Sequence, residues 1–538
     1  MSSLTLTVLD TPGIQPYIFG SNRLRENIGA SELVSRATAA WPLQVLEQMG
    51  HSNVENPAAD APAERLNDRS IEDEGQVSQV VYVGGGNAVI LFRQEGQARQ
   101  FTTCLNRKML QEAPGLELAV AHVGVDWEND HLRDRVDAAM QQLARYKQSR
   151  RPALPLQGLG VTAACRSTGL AATTTNAEHG RAPGAETFPI STEVAAKLDR
   201  VKSAHERLRA LFLSDDLRRA GCDFPLDFDE FGRSRDEMSY IAVVHADGNN
   251  MGRFFRKIAG DAPDSRSYVR KMREASNQVN QASLVALQRV ITDLFSSIDP
   301  DNQSIGGVVP VRDGKLPLRP LVFGGDDVTF VCDGRLGLTL AARYLEAFEQ
   351  EAQSRGMDLH AAAGIAVVKT HYPFARAYQL SESLAKSAKR YVHDQNAGDF
   401  AALDWHFAAS GLMGGLDDIR RREYTMLLDE RRHNLYMRPL RLKEQAGKWR
   451  TWPNFSRAVT TFQEQWGERR NKVIALREAL REGPEAVRRF LAVYGETLPE
   501  LDKSLGSFQE SGWFGQSCGY FDAIEALDFY VPLRGEER

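Results

Sequence analysis

Cysteine is scarce in this chain: five residues, at 104, 165, 222, 332 and 518, are scattered through 538 with no Cys-x-x-Cys pair. That spacing suggests neither a disulfide framework nor a structural zinc site. No apolar run approaches the ~20 residues needed to cross a bilayer, and the N-terminus lacks the basic-then-apolar layout of a secretory signal. The chain is therefore expected in the cytoplasm, without a membrane partner. Excess positive charge is missing too: a net charge of −5 argues against strong indiscriminate nucleic-acid binding, which phosphate neutralisation drives. A local basic patch stays compatible with it. What is left, 42% apolar and 25% charged residues over a length that calls for more than one domain, is an ordinary multidomain globular composition.

Residues 321–331, Leu-Val-Phe-Gly-Gly-Asp-Asp-Val-Thr-Phe-Val, are two apolar half-strands joined at Gly324-Gly325 and followed at once by Asp326 and Asp327. Glycines at a hairpin tip let a ligand approach the backbone, and paired carboxylates offer the hard oxygens that Mg²⁺ requires. Taken alone, Gly-Gly-Asp-Asp is equally an ordinary polar turn. A β-branched run over 239–247 also ends in an acid, Asp247, followed by Gly248, Asn249 and Asn250. If the two strands neighbour each other, their carboxylates lie side by side, as in two-metal phosphoryl-transfer sites. Residues 359–368 read as a further strand and 374–392 as an amphipathic helix bearing Lys386 and Lys389. Each lysine can meet a phosphate or simply face solvent.

In order and spacing, Ala246-Asp247-Gly248-Asn249-Asn250-Met251-Gly252, the Gly-Gly-Asp-Asp hairpin, the Ala363–Val368 strand with Pro373 after it, the Leu384–Lys389 helix and the closing Ala402–His406 strand resemble a known family. It is the large polymerase-cyclase subunit of type III CRISPR effector complexes, a relative of the GGDEF diguanylate cyclases. The resemblance implies an α+β fold of two ferredoxin-like palm domains with helical insertions. It also implies ATP as substrate, Mg²⁺ (or Mn²⁺) as cofactor, and a cyclic oligoadenylate as product. Under it Asp247, Asp326 and Asp327 are the catalytic and metal-binding residues. Successive strand residues point to opposite faces, so one hairpin aspartate binds metal and the other orients it or the attacking hydroxyl. Gly248, Asn249 and Asn250 would cradle a triphosphate, Gly324 and Gly325 would let it approach, and Lys386 and Lys389 would hold its outer phosphates.

A second, damaged copy precedes this one. Writing Tyr82 to Phe92 under Leu321 to Val331 aligns the glycine pairs but sets Asn87 under Asp326 and Ala88 under Asp327. Residues 4–10 supply its first strand, 31–49 a helix and 116–125 a later strand, a repeat of long period rather than a solenoid. The segments 13–19 and 29–35 resemble the degenerate first palm of the same family. This palm is expected to dock on the active one and offer an acceptor-nucleotide pocket through Gly84, Gly85, Gly86 and Asn87, with Asp10 structural rather than a metal ligand.

Two departures bear on function. The first palm strand begins within a few residues of Met1 and the only His-Asp pair is His393-Asp394, so a form lacking the family's nuclease domain, without DNase activity, is expected. Residues 159–172 look like the remnant of a zinc module with one cysteine left. The expected domains are a degenerate palm (1–128), a helical linker domain with that remnant (129–237), the catalytic palm (238–408) and a helical C-terminal domain (409–538). The linker holds helices over 130–149 and 191–213, and a long helix spans 263–298, capped near Asp264-Ser265. From Arg420 to Arg457 eleven Lys/Arg face four Asp/Glu, with Tyr424, Tyr436, Trp449 and Trp452 interleaved; this is either a nucleic-acid patch or the charged surface of a helical bundle. Three readings follow. The chain is a cyclic-oligonucleotide synthase, inside an RNA-guided complex with guide and target RNA or as a free-standing defence cyclase. Or it is a non-catalytic scaffold of such a complex, against which all three aspartates speak. Or it is a templated polymerase, for which fingers, thumb and a basic channel are missing.

Overall fold

The computed structural model describes residues 3–55, 65–84, 86–149, 159–181, 184, 186–231, 239–395, 398–408, 414–428, 430–467, 469–501 and 508–535. The chain forms two compact units, one of Met1–Leu211, Asn250–Leu284 and Leu321–Asp327, the other of Phe212–Asn249, Val285–Pro320 and Val328–Arg538.

In the first unit, strand β1 (Leu4–Asp10) is followed by helix α1 (Leu24–Ser35), the hairpin β2 (Ser78–Gly84) and β3 (Asn87–Phe92), helix α2 (Glu95–Glu112), strand β4 (Ala119–Val125) and helix α3 (Leu132–Ser149). The sheet order is β2-β3-β1-β4, with β1 antiparallel to both neighbours. Alternation along β1 sends Leu4, Leu6 and Val8 to one face. There they join Val89, Leu91 and the stripe Leu132, Val136, Ala139 and Leu143 of α3 in a single core. Spacing near four residues puts that stripe on one side of the helix. Helix α4 (Met251–Gly260) and the first turns of α5 (Ser265–Ser296) complete the core through Ala259, Tyr268, Val269 and Met272, with Phe255 and Ile258 packed against them. Asp264 caps α5 as expected, its carboxylate accepting from the Ser267 amide at 2.7 Å.

The second unit is built on a six-stranded sheet of β5 (Tyr240–Gly248), β6 (Leu318–Val322), β7 (Asp327–Asp333), β8 (Ala361–Lys369), β9 (Ala402–Ala408) and β10 (Leu440–Arg441), in the order β6-β7-β5-β8-β9-β10. Its first four strands repeat the order of the first sheet, hairpin then first strand then last, so the chain contains two ferredoxin-like palms. The tip of its β6–β7 hairpin, residues 321–327, counts with the first unit. Strand β8 is buried at every residue from Ala361 to Val368. That explains its unbroken apolar sequence, since a central strand covered on both faces need not alternate. Helices α6 (Gly337–Ser354) and α7 (Phe374–Asp394) follow β7 and β8.

Some elements differ from the sequence reading. The helix expected over 31–49 is α1 and Trp41–Met49 joined by a π-turn at Arg36–Ala40, and the one over 191–213 breaks at Arg200 into Thr192–Asp199 and Val201–Phe212. Beyond β9 the chain is mainly helical, but it also holds a small sheet of Thr425–Leu428, Arg431–Asn434, Ser517–Cys518 and Trp513–Phe514. Strands of two to four residues are too short to register as a period. Among the described residues no helix is long and apolar enough to cross a membrane.

Candidate active site

Strand β5 runs out at Asp247-Gly248, where it faces Ala362 and Ala361 of β8 in antiparallel register. Helix α7 lies unusually close over β8 because Gly364 has no side chain: a Cβ there would sit 2.0 Å from the Ser381 carbonyl oxygen and 2.3 Å from the Ala385 nitrogen. One turn beyond Ala385, Lys389 thereby reaches the strand end. Its ammonium donates to Asp247 Oδ2 at 2.6 Å and to the Gly248 carbonyl at 2.8 Å. Both side chains of this pair remain about a third exposed, 31% for Lys389 and 38% for Asp247. Lys386, by contrast, is 66% exposed and pairs with Glu382 one turn away on its own helix, at 2.8 Å. The structure brings one of the two lysines to the aspartate and leaves the other at the surface.

The turn after Asp247 is held rigidly. Asn249 is 4% exposed; its amide nitrogen donates to the His360 carbonyl at 2.8 Å, and its side chain donates to Asp399 and the Phe400 carbonyl, both at 3.0 Å. Asn250 adopts the left-handed conformation (φ 53°) at the start of α4, which asparagine tolerates better than most residues. Behind the turn, both ring nitrogens of His360 meet carboxylates: Nδ1 donates to Glu349, and Nε2 lies 3.3 Å from Asp358. An ionised carboxylate only accepts, so this geometry asks for the doubly protonated ring. Burial favours the neutral form. The hydrogen bond to Glu349 and the charges of Glu349, Asp399 and Asp358 outweigh it and hold His360 above its ordinary value. Glu349 is held below the usual carboxylate range, burial notwithstanding, by His360 and by Lys443 at 2.7 Å.

At the β6–β7 hairpin, Gly324 (φ 123°) and Gly325 (φ 76°) occupy backbone conformations that L side chains rarely adopt. Asp326 follows them and Asp327 opens β7, the strand next to β5 in the sheet order. Asn280 of α5 accepts from the Gly325 amide at 3.1 Å. Among the described residues, no three His, Cys, Asp or Glu side chains gather into a metal cage. The donors that are present suit a hard cation all the same. The Asp247 carboxylate and the Gly248 carbonyl both accept from the Lys389 ammonium, so two oxygens there already face a positive charge.

The first palm repeats this arrangement with different residues. Asp10, at the end of β1, lies in register with Asn87 on one side and Ala119 on the other, and Lys147 of α3 donates to its carboxylate. Gly84 (φ 139°) and Gly86 (φ 86°) form the hairpin, the Gly86 carbonyl accepting from Thr11 at 3.2 Å; Gly85 lies outside the described residues. Sequence reasoning missed Lys147. Its signal was available, because it occupies the last helix of the first copy as Lys389 does that of the second.

The basic stretch of the C-terminal region divides: Arg420 and Arg438 turn inward, while Arg421, Arg422, Lys443, Lys448 and Arg457 are exposed. Arg420 meets Asp404 at 2.5 Å and Arg438 meets Asp522 at 3.1 Å, both arginines buried. Tyr424, Trp449 and Trp452 are buried too. Arg431 and Arg432 stay exposed.

Residues 240–397 match the family model described as Cas10/Cmr2, second palm domain. No curated protein matches the chain by sequence. Among solved structures, the chain is similar to a Csm1-Csm4 cassette in complex with cA3, at TM-score 0.54 and 14% identity over 98% of this chain and 70% of that one. It is similar also to the cassette in complex with pppApA (TM-score 0.53, 14% identity, 98% and 69%) and with AMPPNP (TM-score 0.52, 14% identity, 98% and 69%). At such identity the likeness is one of fold. The family match falls on the sheet that carries Asp247 and the Gly-Gly-Asp-Asp hairpin, so residues 240–397 are a palm domain similar to the second palm of Cas10/Cmr2, and the fold of nearly the whole chain is shared with these cassettes.

Proposed function

We propose that the chain is a nucleotidyltransferase that condenses ATP into a cyclic oligoadenylate, as the signalling subunit of a type III CRISPR effector. The observation that carries this reading is the clamp at the end of β5, where Lys389 stands against Asp247 and Gly248, on a palm of a family whose solved structural neighbours hold ATP analogues and cyclic adenylates. In the reaction a nucleotide 3′-oxygen forms a bond to the α-phosphorus of a second ATP as the bond to pyrophosphate breaks. Mg²⁺, when bound by Asp247 with Asp326 or Asp327, supplies positive charge that lowers the hydroxyl's pKa and offsets charge at the phosphoryl group. The remaining hairpin carboxylate orients the attacking hydroxyl. Lys389 swings between Asp247 and the phosphates of an incoming nucleotide. The turn from Gly248 to Asn250 is fixed by Asn249, whose own amide is taken by the His360 carbonyl, so the backbone on either side of Asn249 is what meets the triphosphate. In the first palm Asp10 and Lys147 keep a clamp while Asn87 replaces the hairpin acid, so that palm holds an acceptor nucleotide and makes no bond.

Neighbours that are Csm1-Csm4 cassettes support assembly with a Csm4-type subunit over a free-standing cyclase; guide and target RNA would be met within such an assembly. The test is incubation of the chain, alone and assembled with such a subunit and target RNA, with each NTP and Mg²⁺, followed by mass spectrometry. Cyclic oligoadenylates from ATP are expected. No product under any condition, or equal product from the Asp326→Ala/Asp327→Ala double variant, would overturn the assignment.

A further inference from the structure

The hairpin that presents Asp326 and Asp327 is gripped from three sides by residues far from it in sequence, all in the first unit. Asn280 accepts from the Gly325 amide at 3.1 Å, inside the turn where φ is positive. Ser31 of α1 donates its hydroxyl to the carbonyl of Leu321. The guanidinium of Arg207, on the linker helix Val201–Phe212, lies over the Phe323 ring at 5.4 Å, within the reach of a cation–π contact.

The three contacts share one base. Arg207 also pairs with Glu32 at 2.9 Å, next to Ser31 on α1, and Glu32, nearly fully buried, is held by Arg36 at 2.6 Å as well. Helix α1 is itself seated on the linker: a Cβ on Gly29 would stand 1.7 Å from the Lys197 carbonyl oxygen, so only glycine lets these two backbones meet. A residue on the linker helix, a buried carboxylate on α1 and the catalytic hairpin thus form one chain of contacts.

We propose that Asn280, Ser31 and Arg207 are a clasp that positions the Gly-Gly-Asp-Asp hairpin, with Arg207 the arm through which the linker helix acts on the two carboxylates. The inference rests on the nucleotidyltransferase reading of that hairpin. Glycines free at both turn positions make the tip conformationally loose in isolation, and catalysis needs carboxylates held to a fraction of an ångström. The clasp supplies that constraint from outside the turn. The three residues act through Gly325, Leu321 and Phe323.

The test compares the full-length wild type with Asn280→Ala, Asn280→Asp and Arg207→Met by amide hydrogen exchange of residues 323–327 and by steady-state kinetics with ATP. Asn280→Ala should speed exchange in the hairpin and lower kcat, each about tenfold, the decade that corresponds to one lost hydrogen bond. KM for ATP should stay within about twofold, because nucleotide contacts are untouched. Asn280→Asp keeps the acceptor and should restore both exchange and kcat. Arg207→Met should move both in the direction of Asn280→Ala. Unchanged exchange in both Asn280→Ala and Arg207→Met, faster exchange with unchanged kcat, or failure of Asn280→Asp to rescue would each overturn the clasp. If the wild type itself forms no product, the function assignment falls while hydrogen exchange still decides whether the clasp holds the hairpin.

Discussion

Replacing Lys389 by methionine separates a structural clamp from a nucleotide-binding one, because the two roles predict effects of different size. The ammonium makes two short bonds, to Asp247 at 2.6 Å and to Gly248 at 2.8 Å. A dry hydrogen bond to a charged partner contributes about 1.5–3 kcal/mol. Here Lys389 is 31% and Asp247 38% exposed, and pairs so open to solvent contribute about 1 kcal/mol or less. The variant should therefore unfold within a few degrees of the wild type, its butyl-length stem still packed on α7. Binding is another matter. If the ammonium holds phosphates in the transition state, its loss removes an interaction with a full negative charge, ~2–3 kcal/mol or about 30- to 150-fold in kcat/KM. Lys389→Arg keeps the charge and should fall between. The measurements are thermal melts and kcat/KM for ATP at saturating Mg²⁺. A methionine variant within about twofold of wild-type kcat/KM would show that Lys389 only ties β5 to α7.

Four further outcomes follow from the same contacts. The Asp326→Ala/Asp327→Ala variant should lose all product yet melt no lower than the wild type, since two adjacent like charges are relieved; calorimetry beside the mass-spectrometric assay checks both halves. Asn87→Ala should raise KM for ATP by about threefold with little change in kcat, the effect of one neutral hydrogen bond to substrate; a loss as deep as that of the double variant would reverse the roles given to the two palms. His406 is pushed down to about 3 by burial and by Arg438 and Arg420. Below pH 6.5 the unfolded chain therefore takes up a proton that the folded ring refuses. Stability should fall with acid down to about pH 3, by up to ~1.4 kcal/mol per pH unit for this one group; His406→Gln should flatten that part of the denaturation profile. Arg438→Met should cost about 3–5 kcal/mol by stranding buried Asp522, whereas Arg431→Glu and Arg432→Glu should cost less than ~0.5 kcal/mol. RNA contact by this region is thus tested by filter binding with charge reversals at its exposed cations, Arg431 and Arg432 among them, and not at Arg438.

The sequence made the palms legible because their marks are local. A β-branched run ending in Asp247, a glycine pair before two acids, and a helix beginning after Pro373 each sit within a dozen residues, and the structure places strands and helix there. What it hid depends on partners that arrive from far along the chain. Lys386 and Lys389 are three apart and indistinguishable by pattern; the approach of α7 to Gly364 sends one to Asp247 and leaves the other with Glu382. Within the stretch from Arg420 to Arg457, nothing in the pattern tells Arg420 and Arg438, which are buried against Asp404 and Asp522, from the arginines that stay at the surface. Asn280 lies mid-helix with nothing to mark it, and His360 is one polar residue before an apolar strand. In both cases the function follows from what the fold brings alongside.

The comparison of the two palms shows which parts of such a site are separable. Decay of the first copy removed the hairpin acids, leaving Asn87 and Ala88, but not the carboxylate–ammonium pair at the strand end, now Asp10 and Lys147. Were that pair only an accessory to the hairpin acids, nothing would hold it once they were gone. An aspartate left beside an unneeded lysine contributes little to stability at the exposure seen here, 27% and 35%. Structural tethering of a strand end or grip on a nucleotide each gives a reason to keep it, and the two differ in one respect. A tether needs only the charge pair, while a nucleotide grip also needs the glycine turn and the carboxamide across from Asp10, and Gly84, Gly86 and Asn87 are all still in place. The retained set is one that can bind without reacting, as the acceptor role proposed for this palm requires.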